Sequence, residues 1–219
     1  MKRITTLLLV WGILAASQVA TVAQLTDEMK KEGWVALFDG KTLEGWKSNE
    51  KYEGFKVEDG CIKGFGDRNH LYYMKEEFKN FELMLDIKIN DKGNSGVFFK
   101  SQWEEGTWPI SGFEVQVNAT HGDPIKTGSL WGLVNIPKAP HDIDKWFTMH
   151  IICKGNSVEI RIDRKTLYTY VDPREDDGPQ GAITPKTRRI SQKGYINLQA
   201  HDPGSFPMFK NIFVKKLPD

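Results

Sequence analysis

The stretch that most restricts the fold is Phe81-Glu-Leu-Met-Leu-Asp-Ile-Lys-Ile89. Apolar side chains stand at every second position, Phe81, Leu83, Leu85, Ile87 and Ile89. Glu82, Asp86 and Lys88 fall between them, with Met84 among them. An extended chain sends alternate side chains to opposite faces, so this period of two predicts a half-buried β-strand. The pattern returns at Phe147, Met149, Ile151 and Cys153, turns at Gly155-Asn156, and runs back through Val158, Ile160 and Ile162. Shorter runs of the same kind are Trp34–Phe38, Phe55–Val57, Cys61-Ile62, Leu71–Met74, Gly128–Trp131, Leu167–Tyr170, Gly194–His201 and Met208–Leu217. Lys75–Asn80 is compatible with helix but short, and no long segment after the N-terminus holds a 3.6-residue period. The expectation is an all-β chain, about a dozen antiparallel strands in a two-sheet β-sandwich. Trp34, Trp46 and Trp146 are expected in its core.

The N-terminus reads differently. Lys2 and Arg3 precede an apolar run from Leu7 to Ala16, and Thr21-Val22-Ala23 is a small-residue cleavage site. Residues 1–23 read as a secretory signal peptide, and residues 24–219 as one β-sandwich domain. The expected destination is the periplasm or the extracellular space. The apolar run is too short for a membrane span. Loss of Lys2 and Arg3 from 30 basic residues, against 29 acidic ones, leaves a charge near zero. That balance argues against nucleic acid as a partner. Nothing in the sequence fixes an oligomeric state. Two cysteines, Cys61 and Cys153, fall within expected strands, and nothing brings them together, so two buried thiols are expected.

Chemistry concentrates between Asn90 and Val117. Asn94 and Ser95 open one strand and Lys100 follows it; Glu114 and Gln116 sit two apart on a second, and so share a face. A loop between them carries Trp103 and Trp108. An acid beside an amide, flanked by indoles on which a sugar's C–H face can pack, suggests a carbohydrate ligand. Trp131 is a third candidate platform, and Gln199 and His201 close a later strand. The competing reading is the plain solvent face of a sheet. His121 sits in a Gly-Asp-Pro loop, His70 and His141 read as loop residues, and His150 faces away from its strand's apolar side.

In order along the chain, "GWVALFDGKTLEGW", "FKVEDGCIKG", "FKNFELMLDIKI", "GNSGVFFKS", "GFEVQV", "GYINLQAHDPG" and "FKNIFVKKL" resemble the 3-keto-disaccharide hydrolase domain, formerly a domain of unknown function. The likeness covers nearly all of residues 24–219. It implies a concanavalin A-like lectin/glucanase sandwich and action on glycosides whose sugar carries a 3-oxo group. Asn94-Ser95-Gly96, Glu114 with Gln116, and Gln199 with His201 match that family's motifs. Two positions depart from it. Trp131 stands where a Tyr is common, and Asp202-Pro203-Gly204 follows His201 where Gly is common.

Ordinary glycosidases set two carboxylates about the scissile bond. The strand here offers Glu114 alone, with Glu104, Asp123, Asp142 and Asp144 as loop acids of unknown position. A 3-oxo group acidifies the C2 hydrogen, so a base plus a stabilised enolate could replace the second acid. Glu114 and His201 are the candidate bases, and Asn94, Lys100, Gln116 or a divalent metal the candidate stabilisers. Glu114, His201 and His121 form the one oxygen and nitrogen set worth weighing for such a metal. No His or Cys spacing motif supports it, so no metal ligand and no cofactor is assigned. The alternative function is a carbohydrate-binding module without turnover.

Overall fold

The computed structural model describes residues 25–174 and 183–219; the expected signal peptide and the middle of the polar loop after Asp172 lie outside them. A short helix, α1 (Asp27–Lys31), leads in, capped by Thr26, whose Oγ1 accepts from the Met29 amide at 3.1 Å. Five short strands follow: β1 (Trp34–Ala36), β2 (Trp46–Ser48), β3 (Phe55–Glu58), β4 (Cys61–Gly64) and β5 (Asn69–Tyr73). Then come β6 (Phe81–Lys88), β7 (Asn94–Ser101), β8 (Phe113–Asn118) and β9 (Phe147–Lys154). The chain ends with β10 (Ser157–Ile162), β11 (Lys165–Val171), β12 (Tyr195–Ala200) and β13 (Met208–Lys216).

These form two antiparallel sheets, a concanavalin A-like jelly roll. One has eight strands, ordered β11-β10-β9-β6-β13-β4-β3 with β1 on β13; the other has five, ordered β2-β5-β12-β7-β8. β6 alternates buried and half-exposed residues along its whole length, as the period of two requires. Phe81, Leu83, Leu85 and Ile87 therefore meet Val97, Phe99, Phe113, Val115 and Leu198 of the facing sheet in one core. Each such side chain stabilises the fold by roughly 1.5–3 kcal/mol. Cys61 and Cys153 are both buried and both free thiols.

Four expectations fail for physical reasons. Gly128–Trp131 forms no regular strand; it runs beside β8 through an isolated bridge from Leu130 to Val115 and single backbone hydrogen bonds such as Gly128 N to Gln116 O and Trp131 N to Glu114 O, both 3.0 Å. His70 is in β5 and fully buried, because that strand starts two residues before its apolar run. Trp146 is half-exposed rather than core, with the Lys210 ammonium 4.3 Å from its ring. The fourth is Lys100. It has φ 62°, and between β12 and β7 the register slips, Tyr195 facing Ser101 but Asn197 facing Phe98. Two residues, Phe99 and Lys100, thus stand against Ile196 alone, a β-bulge that turns Lys100 to the core side. Its ammonium donates to the Lys79 carbonyl and lies 5.5 Å from the Phe81 ring centre. Gly194 permits this, since a Cβ there would stand 2.3 Å from the Lys100 carbonyl carbon.

Candidate active site

Alternation on the five-stranded sheet sends a second set of side chains away from the core. From β8 come Glu114 and Gln116, from β7 Asn94 and Phe98, from β12 Gln199, and one residue further His201. Loops cover this face and leave a cavity of about 400 Å³. Trp108, Pro109 and Ile110 form one wall, Pro185 and Arg188 stand beside it, and Asp123 and Trp131 complete the lining. Asn49, just past β2, fastens the Trp108 wall. Its side-chain amide donates to the Glu104 and Thr107 carbonyls at 2.9 and 2.8 Å, and its own carbonyl accepts from the Gly106 amide.

Glu114 lies over Gly96, where a Cβ would come within 2.3 Å of its Oε1. Only a glycine leaves that room. Among the described residues no hydrogen bond or ion pair reaches the Glu114 carboxyl. Burial raises its pKa to about 8; Asp123 pushes the same way, and Arg188 pulls against them. The acid therefore keeps its proton at neutral pH. Arg188 is committed elsewhere: Nη1 donates to the Gly112 and Ile110 carbonyls, and the guanidinium sits 4.7 Å from the Phe113 ring centre.

His201 has a different environment. Its Nδ1 lies 2.8 Å from Asp202 Oδ2, which also accepts from Ser205 Oγ at 3.0 Å. Burial alone would raise the Asp202 pKa. Hydrogen bonds from His201, Ser205 and the Gly204 amide outweigh it and hold the carboxylate below its ordinary value. The dyad fixes the imidazole by one nitrogen and packs its ring 5.6 Å from Trp108 and 5.8 Å from His121.

The amides form a chain. Gln116 Nε2 donates to Asn94 Oδ1 at 2.6 Å, and Asn94 Nδ2 lies 3.4 Å from His121 Nδ1. Gln199 Nε2 lies 3.4 Å from His70 Nε2. Burial, then the charges of Arg68 and His201, lower the His70 pKa to about 3, so this ring is neutral. His70 Nδ1, Gln199 Oε1 and Asn197 Oδ1 are buried without a partner among the described residues. Each such atom costs about 1–3 kcal/mol, and folds tolerate that mainly where polar groups serve something other than stability.

Of the residues expected from sequence, Glu114, His201, Asn94, Gln116, Gln199, Trp108 and Trp131 line this one cavity. Three expected residues lie elsewhere. Ser95 is on the core side of β7, where its hydroxyl donates to the Gln199 carbonyl at 2.7 Å. Its parity opposite Asn94 already excluded it from the Asn94 face. Lys100 is turned inward by the bulge. Trp103 packs on Tyr72, ring centres 5.1 Å apart, under the Lys47 ammonium. Of the loop acids, only Asp123 reaches the cavity. Sequence reasoning did not foresee Arg188, nor Asp202 as partner of the imidazole. For Asp202 a signal existed, the carboxylate directly following the histidine. For Arg188 there was none, because its position depends on contacts 76 residues away. Among the described residues no group of three or more His, Cys, Asp or Glu is gathered about one point suited to a metal.

Residues 33–215 match the family described as the 3-keto-alpha-glucoside-1,2-lyase-like domain. A 3-keto-disaccharide hydrolase from Bacteroides thetaiotaomicron is 37% identical over 83 residues, 32% of this chain and 28% of that protein. The chain thus matches under a third of that relative's length. A candidate glycosyl hydrolase structure from Parabacteroides distasonis superposes with TM-score 0.76 at 26% identity, covering 90% of this chain and 100% of that one. A β-glucanase from Bacillus licheniformis shares the fold alone, at TM-score 0.55 and 11% identity over 85% of this chain and 99% of its own.

Proposed function

The chain belongs to the 3-keto-alpha-glucoside-1,2-lyase-like family, and from that membership we propose that its cavity cleaves glycosides whose sugar carries a 3-oxo group. The observation that carries the reading is the pairing, in one cavity, of a protonated carboxyl at Glu114 with an imidazole that Asp202 holds by its other nitrogen. The names of the family and of the Bacteroides relative support the substrate class.

The reaction runs by elimination and hydration. His201 takes the C2 proton, and the electron pair passes into the C3 carbonyl as an enolate. The enolate collapses, C1=C2 forms, and the C1–O bond breaks. The departing oxygen takes its proton from Glu114, which spares the cost of expelling an alkoxide. Water then adds at C1 and gives up a proton to the Glu114 carboxylate, while His201 returns the first proton to C2, so both groups are restored and the sum is hydrolysis. The amide groups of Asn94, Gln116 and Gln199 supply donors for the enolate oxygen and the sugar hydroxyls. One acid with one base suffices for this route, which accounts for an amide where a second carboxylate would stand in an ordinary glycosidase.

The test is turnover of a 3-keto-glucoside in deuterated water. Deuterium at C2 of recovered substrate or product is expected, and cleavage without it would overturn the elimination route. A binding-only module, which the exposed indoles would also suit, predicts affinity with no cleavage by the wild type. Secretion is proposed alongside, on the leader-like N-terminus, and is checked by fractionating cells that express the full chain.

A further inference from the structure

Directly after His201 the chain reads Asp202-Pro203-Gly204-Ser205. This tetrapeptide suits a tight turn. Proline presets the backbone at the second position, and an aspartate at the first takes up an amide two residues on. The Ser205 amide closes the turn on the Asp202 carbonyl at 3.0 Å, and the Gly204 amide donates to Asp202 Oδ1 at 2.9 Å. The first and last residues of the turn are thereby brought side by side. Asn90 clamps the same turn. Its side-chain amide donates to the Gly204 carbonyl at 2.9 Å, and its side-chain oxygen accepts from the Phe206 amide at 2.8 Å.

Ser205 is fully buried, and the direction of its hydroxyl is fixed. The backbone amide of Asn94, at the start of β7, lies 2.8 Å from Oγ. A backbone N–H only donates, so Oγ accepts there, and its own proton goes to Asp202 Oδ2 at 3.0 Å. The same carboxylate oxygen lies 2.8 Å from His201 Nδ1. An ionised carboxylate only accepts, so Nδ1 carries a proton and Nε2 keeps its lone pair. Donation thus runs from the Asn94 amide to Ser205, and from Ser205 and His201 to Asp202. No side-chain amide that could be turned over takes part in it.

We propose that Ser205 is a positioning residue for the base, acting through Asp202 to keep His201 in the tautomer whose Nε2 can take a proton. The proposal rests on the reading of His201 as the base. Ser205 does not line the cavity. It joins two parts of the site that do: the imidazole at one end of the array, and at the other the strand start that carries the Asn94 side chain. The base and that amide are therefore set relative to one another by one hydroxyl.

The test is a double-mutant cycle of Ser205→Ala with Asp202→Ala, read by turnover of a 3-keto-glucoside. Ser205→Ala alone should lower kcat about fivefold with KM within about twofold, and should lower kcat less than about twofold where Asp202 is already alanine. Equal losses in the two backgrounds would make the hydroxyl a support for the loop and nothing more, and would overturn the proposal. So would no loss in either, or a loss confined to KM. Ser205→Cys, which keeps the volume and donates weakly, takes the place of the alanine variant if that variant does not fold. Nitrogen NMR of histidine-labelled protein in alkaline buffer reads the tautomer with no substrate present. The wild type should show His201 protonated at Nδ1, and the Ser205 variant a mixture of the two tautomers; an unchanged His201 signal overturns the proposal. Should the wild type cleave no 3-keto-glucoside, the reading of the cavity fails by itself, and the NMR comparison alone decides on Ser205.

Discussion

The two sheets turn outward faces of opposite character to their surroundings. On the eight-stranded sheet, charges answer one another. Glu82 takes Lys215 at 2.8 Å and hydrogen-bonds the His150 ring at 3.0 Å, Glu58 takes Lys56 and Lys63, and Arg161 takes Glu159. On the five-stranded sheet, the corresponding face is covered by loops, built of buried amides and a neutral imidazole, and holds a half-buried acid, Glu114, that no cation among the described residues pairs. The difference separates two uses of one fold. Paired charges on a half-exposed face contribute little each and serve solubility. Unpaired polar groups under cover lower stability, and the fold retains them where chemistry needs poised groups.

The largest break in that contrast should come from Glu114→Gln. Turnover of a 3-keto-glucoside is expected to fall by about 10³-fold, within the range for losing a positioned acid, while sugar affinity measured by calorimetry stays near wild type. Next is pH. Burial lifts the Glu114 pKa from 4.5 to about 8. Between those values the native state holds one more proton than the unfolded chain, so this group's contribution to stability falls as pH rises through that window and is flat above it. Glu114→Gln should therefore raise Tm more at pH 8 than at pH 5, by an amount equivalent to at most a few kcal/mol. Equal shifts at the two pH values would remove the electrostatic account. In the same direction, wild-type kcat should decline above about pH 8 as the acid loses its proton.

Asp202→Asn sharpens the comparison at the imidazole. About a ten- to hundredfold fall in kcat is expected, with an altered pH profile and little change in KM, because the amide no longer fixes the ring by an ionised partner. A loss confined to KM would make Asp202 a substrate contact and not a positioning residue. The smallest effect belongs to the other sheet. Glu82→Ala should lower stability by about 1 kcal/mol in a urea titration and leave turnover unchanged.

What the sequence disclosed follows from how local each feature is. The core face of β6 is written in Phe81, Leu83, Leu85 and Ile87, because alternation is a property of consecutive residues. The shared face of Glu114 and Gln116 was legible for the same reason. Lys100 was misread because a bulge changes parity without any local mark in a run such as Val97-Phe98-Phe99-Lys100. The room for it comes from Gly194, just before β12 and 94 positions along the chain, which has no Cβ to meet the Lys100 carbonyl. His70 was taken for loop because the polar start of β5, Asn69 and His70, carries no apolar signal. The cavity walls were least legible. Trp108, Trp131 and Arg188 come from three loops, and only tertiary hydrogen bonds decide which of them meet.

The attachment of the Trp108 wall through Asn49 carries a consequence for how damage would show itself. Asn49 follows β2, at the margin of the five-stranded sheet, and its backbone and side chain both belong to the fastening of a loop some fifty residues later. Fraying of that outermost ribbon would release the indole before it disturbed the interior. An alteration there would register as lost grip on the sugar with the melting curve almost intact, and a screen judged by heat resistance alone would pass it as harmless.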